Sequence, residues 1–262
     1  MTDSLFVAWQ YKRSNPDGRS GTRRWYPIGR LDTDGPERQY TFCYTQGALK
    51  AKQEAGFEPL EAFPDLEKVY RSKELFSVFR NRLPNPSRKD YSETVKRLGL
   101  TEKRSEPFEV LALTGGARQT DNLEVFPKIK KGARGAFRSR FFLHGWRHVN
   151  DHSQSRVAKL IQGEPLQVTL EFNNPAAPAA VQLQTPSEYY VIGWAPRYLV
   201  SDMLKAMSEA PSDLKACVVR FNPPPAPYNQ RVMVEISGRF PDSFEPMATE
   251  DYRLLVEKVN FE

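Results

Sequence analysis

The three histidines of the chain are the first candidates for chemistry, because imidazole binds metal ions and transfers protons near neutral pH. His144, His148 and His152 follow one another at intervals of four residues. On a helix this spacing places side chains on one face, but RFFLHGWRHV (140–149) has the glycine and bulky aromatic residues typical of a strand. Strand residues four apart lie roughly 13 Å from one another, too far to share one ion. We therefore expect no metal site, and we expect these histidines at the surface or in contact with nucleic acid.

Motifs for covalent or acid–base catalysis are not found in the sequence. No serine lies in a GxSxG elbow, no HExxH is present, and no lysine follows Gly115 and Gly116 at the spacing of a phosphate-binding loop. Cys43 and Cys217 each lack the second cysteine of a CxxC pair. We expect a protein that is not an enzyme and needs no cofactor. Because the members of a catalytic triad can be far apart in sequence, a hydrolase stays a third alternative.

Positive charge is concentrated in the first part of the chain. Residues 1–140 hold 27 Lys and Arg against 18 Asp and Glu, whereas residues 141–262 hold 11 against 14. From Val125 to Asn150 no acidic residue occurs, so this segment has no internal ion pairs. We expect it to face a polyanion, with an ordinary soluble basic surface as the alternative. Its candidate phosphate contacts are Lys128, Lys130, Lys131, Arg134, Arg138 and Arg140.

The elements that position these residues follow from the apolar pattern. In the first half, turn-forming residues separate three runs that predict a meander of strands: LFVAWQY (5–11), RWYPIGRL (24–31) and QYTFCYT (39–45). Apolar residues at three- and four-residue spacing then predict helices within 48–56, 66–83 and 87–100.

The second half is dominated by strand patterns rich in Val, Ile, Phe and Tyr. The predicted strands lie within 140–149, 164–172, 179–183, 189–196, 215–222 and 231–240, and one amphipathic helix lies within 197–210. Many short strands with one or two helices are typical of an OB-like or SH3-like β-barrel. The predicted fold class is α+β, with two small β-rich domains at 1–127 and 141–262 joined by a basic connector at 128–140.

The chain carries no signal for a membrane. No run approaches the roughly 20 apolar residues of a membrane-spanning helix. The start, MTDSLFVAWQYKR, lacks the basic flank and long apolar core of a secretion signal. We therefore expect a cytoplasmic protein that does not bind a membrane.

Residues 141 to about 240 resemble a HIRAN domain, a module of helicase-like proteins that remodel replication forks and of standalone bacterial proteins. The resemblance rests on Gly145–His148, on GEPLQVTLEF from Gly163, on Asn174 and Pro175 before AAVQL, and on IGWAPRYL from Ile192 to Leu199. These motifs follow one another in the family's order. The resemblance implies an OB-like barrel that captures the 3′ end of single-stranded DNA.

The resemblance also implies roles for individual residues. Arg147 and His148 would contact the terminal nucleotide, Trp194 a base, and Arg197 a phosphate, with Phe221 as a downstream aromatic contact. Base stacking together with a basic groove is a general way of holding single strands, although Trp194 could instead be a core residue. Where the family has an acidic residue that accepts a hydrogen bond from the sugar, this chain has Ala176 and Ala177. Recognition of the 3′-hydroxyl through that carboxylate is therefore not expected.

The first 127 residues resemble the small N-terminal domain that precedes the kinase in HipA-type toxins. The matching stretches are WYPIGRL, QYTFCYT, FEPL, LFSVFRNRLPNPSR and LTGGARQTDNLEVFP. In that family the domain packs on the kinase and on antitoxin, which implies a scaffold. We therefore expect a nucleic-acid-binding protein whose partner is DNA, single-stranded or at its ends, with RNA left open. The alternative is an interaction subunit whose partner is a protein of a toxin–antitoxin or phage-defence operon.

Overall fold

A computed structural model describes residues 3–14, 20–34, 39–101, 106–118, 121–174 and 177–256. The chain is a mixed α+β protein with two antiparallel sheets, one of five strands and one of six. It divides into two compact units. The first holds the described residues of Met1–Ser92, Glu102–Lys128 and Met247–Glu262, and the second holds Glu93–Thr101 and Ile129–Pro246.

The first unit is built on the five-stranded sheet. Its strands are β1 (Ser4–Ser14), β2 (Ser20–Thr33), β3 (Tyr40–Tyr44), β4 (Tyr70–Ser72) and β5 (Leu123–Pro127). They are ordered β4-β3-β2-β1-β5, so the predicted meander of β1, β2 and β3 is confirmed. The helices are α1 (Gln46–Ala55), α2 (Ser77–Arg80), α3 (Tyr91–Arg97), which continues into the second unit, and α4 (Pro107–Thr114).

Aromatic packing explains why the helix predicted for 66–83 is wrong. That segment contains the strand β4 and only the single turn of α2. Phe42 on β3 stacks on Phe63 with ring centroids 4.1 Å apart, and Phe63 in turn contacts Tyr70 and Phe76, each at 5.0 Å. The backbone must follow an irregular path for these rings to meet in one core. Tertiary packing therefore overrides the local helical pattern.

The second unit is built on the six-stranded sheet. Its strands are β6 (Ala136–Phe142), β7 (Pro165–Asn174), β8 (Ala177–Gln184), β9 (Val191–Trp194), β10 (Lys215–Phe221) and β11 (Val232–Arg239). They are ordered β6-β11-β10-β7-β8-β9. All six predicted strand regions and the predicted helix, now α6 (Val200–Glu209), are therefore present.

The end of β6 differs from the strand predicted for 140–149. Gly145, with φ of +69°, turns the backbone away from the strand direction. A 3-10 turn follows at Trp146–His148 and then helix α5 (Asp151–Val157). Asn150 caps this helix by accepting a hydrogen bond from the Ser153 N–H at 2.8 Å. The turn and the cap, rather than the apolar pattern, determine where the strand ends.

One isolated backbone bridge joins the chain just after β6 to the end of β9, which are the two edge strands of the six-stranded sheet. The His144 N–H donates to the Trp194 carbonyl, and the Trp194 N–H donates to the His144 carbonyl, both at 2.9 Å. His144 comes two residues after β6, and Trp194 ends β9. Gly193 permits this approach, because a Cβ there would lie 2.6 Å from the His144 carbonyl oxygen.

The unit boundaries differ from a simple division into consecutive domains. The stretch from Ile129 onward belongs to the second unit, so this unit contains most of the predicted connector 128–140. The last residues of the connector form the start of β6. Residues Glu93–Thr101 also belong to the second unit, while the chain from Met247 returns to the first. Among the described residues, no helix combines the length and apolar character that crossing a membrane requires.

Replacing Gly193 with Ala is expected to lower the free energy of unfolding by about 1–3 kcal/mol, the usual cost of overpacking. Gly163→Ala is the matched control, because Gly163 also has a positive φ, of +82°, but a Cβ there would have no neighbour within 4 Å. Urea unfolding of both variants separates steric conflict from backbone strain. Equal losses in the two variants would contradict the close approach of the His144 and Gly193 backbones.

Candidate nucleic-acid interface

Trp194 lies on the polar face of β7, β8 and β9. Directly opposed residues of antiparallel strands share a face, and Trp194 opposes Gln182, which opposes Thr169. The neighbouring positions Leu183 and Val181 point to the other face and are fully buried. The indole of Trp194 is half-buried, so it belongs to a partly accessible polar surface and not to the apolar core of the unit.

The carboxylate of Glu171 holds the edge of that indole. Its Oε2 accepts hydrogen bonds from Trp194 Nε1, from Asn174 Nδ2 at 3.0 Å and, at a long 3.5 Å, from Gln182 Nε2. Sequence reasoning missed Glu171. The alternation in QVTLEF could have found it, since it places Gln167, Thr169 and Glu171 on one face of β7.

One edge of the Trp194 ring lies against Gly145. A Cβ at Gly145 would lie 2.6 Å from Trp194 Cε3 and 2.9 Å from Cζ3 but 3.7 Å from Cδ2, and φ at Gly145 is +69°. Glycine is therefore required at 145 both by the left-handed backbone and by contact with the ring. This contact holds the six-membered edge of the indole beside the turn that carries Arg147 and His148.

Arg147 and His148 lie exposed in the 3-10 turn that follows Gly145. The Arg147 Nε donates to His148 Nε2 at 3.3 Å, which joins the two side chains. Gln154 from α5 donates to the carbonyls of Arg147, at 3.2 Å, and Val149, at 2.9 Å. These two hydrogen bonds hold the backbone of the turn, while the Arg147 guanidinium and the His148 imidazole remain exposed to solvent.

The bridge between His144 and Trp194 brings two predicted segments together. Arg147 and His148 follow Gly145 closely, and Arg197 follows Trp194 as the first residue of a 3-10 turn. Arg197 is half-buried. Phe221, also half-buried, ends β10, which lies three strands from β9 in the sheet order, so it is further from this group along the sheet.

Lys131 has a structural role within the second unit. Its Nζ donates to the carbonyl oxygens of Pro241, Asp242 and Phe244 at 2.9, 2.7 and 2.8 Å. Three carbonyl acceptors satisfy all three donors of an ammonium group. This lysine therefore holds the loop after β11 and has no donor left for a phosphate.

Two further cations of the predicted connector share one carboxylate of a neighbouring strand. Arg138 and Arg140 on β6 both pair with Glu235 on β11, at 3.2 and 2.6 Å. The segment has no acidic residue of its own, but strand pairing supplies one from about 95 residues away. Lys128 is half-buried in the first unit, whereas Lys130 and Arg134 are exposed in the second. The six cations therefore do not form one uniform basic segment.

The histidines occupy three different local structures. His144 lies in the bridge, His148 in the 3-10 turn and His152 in α5. Within the part of the chain that the structure describes, no group of three or more His, Cys, Asp or Glu side chains could hold a metal ion.

Two alanines stand where the HIRAN resemblance would place an acidic residue. Of these, Ala176 lies outside the described residues, and Ala177 is the first residue of β8, opposite Asn174.

Comparisons with models of protein families, with curated proteins and with solved structures find no match to this chain.

The hydrogen bond between Trp194 and Glu171 is expected to couple the two residues energetically. In a double-mutant cycle of Trp194→Phe and Glu171→Gln, the coupling free energy should be about 1.5–3 kcal/mol, the range for hydrogen bonds to charged groups. The measurement is urea unfolding of the wild type, both single variants and the double variant. Glu188→Gln with Trp194→Phe serves as the control cycle and should show no coupling. Additive losses in the first cycle would contradict the contact.

Proposed function

We propose that this protein binds single-stranded DNA through its second unit and catalyses no reaction. The observation that carries the proposal is the convergence at the bridge between His144 and Trp194. Two sequence segments about 50 residues apart there present an exposed arginine and histidine beside an indole that a carboxylate holds. Exposed cations beside aromatic rings suit a flexible, unpaired strand, whose phosphates and bases are both accessible.

The same bridge supports a barrel of the OB-like kind. The bridge joins His144, two residues after the edge strand β6, to the end of the other edge strand, β9, as closure of such a sheet would require. Closure would remove the unpaired edges that invite aggregation. We propose that the second unit is a HIRAN-like barrel of this type. The first unit is proposed as a scaffold resembling the N-terminal domain of HipA-type toxins.

Each residue of the interface would have a distinct role. The exposed Arg147 guanidinium would contact a phosphate, and His148, joined to it at 3.3 Å, would lie against the same nucleotide. Trp194 would present a ring face to a base. Arg197, Phe221, Lys130 and Arg134 would make further contacts along the strand. Arg138 and Arg140 would contribute less, because they share the carboxylate of Glu235.

Replacing Arg147 with Ala should weaken binding of a labelled oligothymidylate and reduce the slope of log Kobs against log salt by about one unit, because one phosphate contact and its released counterion are lost. Arg140→Ala is the control, since this exposed arginine is already paired with Glu235. Fluorescence anisotropy at several salt concentrations gives the affinity and the slope, with duplex and 3′-tailed DNA as comparison ligands.

Identical slopes for the wild type and Arg147→Ala would exclude Arg147 from the interface. Failure of the wild-type protein to bind any of these nucleic acids at low salt would refute the proposed function and favour the protein-interaction alternative.

The protein is expected to bind a strand ending in a 3′-hydroxyl and one ending in a 3′-phosphate with affinities that differ less than tenfold. The acidic residue of the family's loop is missing, and Oε2 of Glu171 already accepts from Trp194 and Asn174. Competition between the two oligonucleotides measures the ratio. A preference of tenfold or more for the hydroxyl, abolished in Glu171→Gln, would identify Glu171 as the acceptor and overturn this expectation.

A further inference from the structure

Two arginines of the second unit, Arg97 and Arg231, are joined through their backbone carbonyls to one buried residue, Asn222, and a third arginine lies close to Asn222 in sequence. Asn222 is 5% exposed. Its Nδ2 donates to the carbonyl oxygen of Arg97 at 3.1 Å, and its backbone N–H donates to the carbonyl of Arg231 at 2.7 Å. Arg220 precedes it by two residues on β10. A Cβ at Gly99 would lie 4.0 Å from Arg220 Nε, which places that guanidinium against the chain just after Arg97.

These arginines share an unusual feature, because Nε of each is buried and has no hydrogen-bond acceptor. Arg231 is only 8% exposed, and its one acceptor is the Ala226 carbonyl at 2.9 Å from Nη2. Arg97 donates from Nη2 to the Thr94 hydroxyl at 2.8 Å. None of the three forms an ion pair with a carboxylate of the described residues, although 13 other ion pairs engage cations elsewhere.

These three arginines have no negatively charged partner among the described residues. Arg231 is buried, whereas Arg97 and Arg220 are half-buried. Removing a charge from water without a partner costs several kcal/mol, so buried cations are normally paired. Guanidinium groups keep their positive charge at every physiological pH, so deprotonation cannot relieve the cost. A bound anion with several acceptor oxygens would satisfy the free Nε groups and neutralise the cluster.

An aromatic wall adjoins this cluster. The Arg231 guanidinium carbon lies 5.6 Å from the ring centroids of both Trp146 and Tyr228. Trp146 Nε1 donates to the Tyr228 carbonyl at 2.8 Å, which holds the two aromatic residues in place. Tyr228 is nevertheless 60% exposed. An exposed, fixed ring beside a cationic cluster is suited to stacking with a nucleic-acid base.

We propose that Arg97, Arg220 and Arg231 form a phosphate-binding site for the backbone of a single strand, with a neighbouring base stacked on Tyr228. The site deepens the proposed function and rests on it for the identity of the ligand. It extends the interface beyond Arg147 and His148, which precede α5 and directly adjoin Trp146 in sequence. Arg97 comes from the segment Glu93–Thr101, which lies before the HIRAN-like stretch, so that segment contributes directly to binding.

Inorganic pyrophosphate tests the anion site without any nucleic acid. At low ionic strength, millimolar pyrophosphate should raise the melting temperature of the full chain by about 3 °C or more relative to sodium chloride of equal ionic strength, because a ligand that binds only the folded state stabilises it. Arg97→Met and Arg220→Met keep the apolar stem and remove the charge, and each should reduce the shift by at least about half. Arg239→Met is the control, since Arg239 is on β11 and is paired with Asp213 at 3.0 Å.

The melting temperatures without anion distinguish a binding site from a structural role. Because Nε of Arg220 is buried and has no acceptor among the described residues, Arg220→Met should melt no lower than the wild type in phosphate-free buffer. No pyrophosphate shift in the wild type, or the same shift in Arg97→Met, Arg220→Met and the control, would overturn the proposal. A lowered melting temperature together with an unchanged pyrophosphate shift would identify the arginines as structural and would overturn it as well.

Oligothymidylate binding distinguishes a strand from a free phosphate compound. The Arg220→Met variant should bind the strand several-fold more weakly with a salt slope reduced by about one unit, and Tyr228→Ala should weaken binding of the strand but leave the pyrophosphate shift unchanged. If pyrophosphate raises the melting temperature but the protein binds no strand, the proposed function and the strand as its ligand are refuted. The anion site would then still stand. Strand binding that is unaffected by both variants would overturn this inference while leaving the proposed function intact.

Discussion

The close backbone approach between His144 and Trp194 is the contact on which the candidate interface depends. It requires Gly193, where a Cβ would meet the His144 carbonyl, and it places Gly145 against one edge of the Trp194 ring. Both positions combine positive φ with contact at less than 3 Å, so no other residue type meets both requirements. Once the bridge forms, Arg147 and His148 must emerge beside β9, because only the short turn after Gly145 separates them from it.

The distribution of charge along the sequence does not show which charged side chains have partners in the structure. The segment from Val125 to Asn150 holds seven Lys and Arg and no acidic residue, but strand pairing gives Glu235 to two of its arginines and backbone carbonyls occupy Lys131. By contrast, Arg97, Arg220 and Arg231 lie in unremarkable sequence surroundings and share buried donors without acceptors. Electrostatic energy depends on distance and burial in three dimensions, and neither is encoded in the order of charges along the chain.

The sequence predicted the strands more successfully than the places where they end. Runs rich in Val, Ile, Phe and Tyr identified β6 to β11, and the amphipathic pattern identified α6. The turn at Gly145 and the helix α5 were missed, since φ at one glycine and one asparagine cap decide them. Residues Glu93–Thr101 could not be assigned to the second unit from sequence, because the deciding contact is a hydrogen bond from Asn222, 125 positions away from Arg97.

Buried polar groups of the second unit fall into two classes. Lys131 Nζ and Asn222 Nδ2 have backbone acceptors, whereas Ser153 Oγ and Gln230 Oε1 are buried without a partner among the described residues. Around Asn222, however, three guanidinium groups retain unsatisfied Nε donors, and Tyr228 keeps its ring exposed beside them. A fold gains no stability from such a cluster, so its presence is better explained by a ligand that completes it. The hydrogen bonds of Asn222 then have a second consequence: because they hold the backbone at Arg97 and Arg231 in place before any anion arrives, little ordering cost remains to oppose binding.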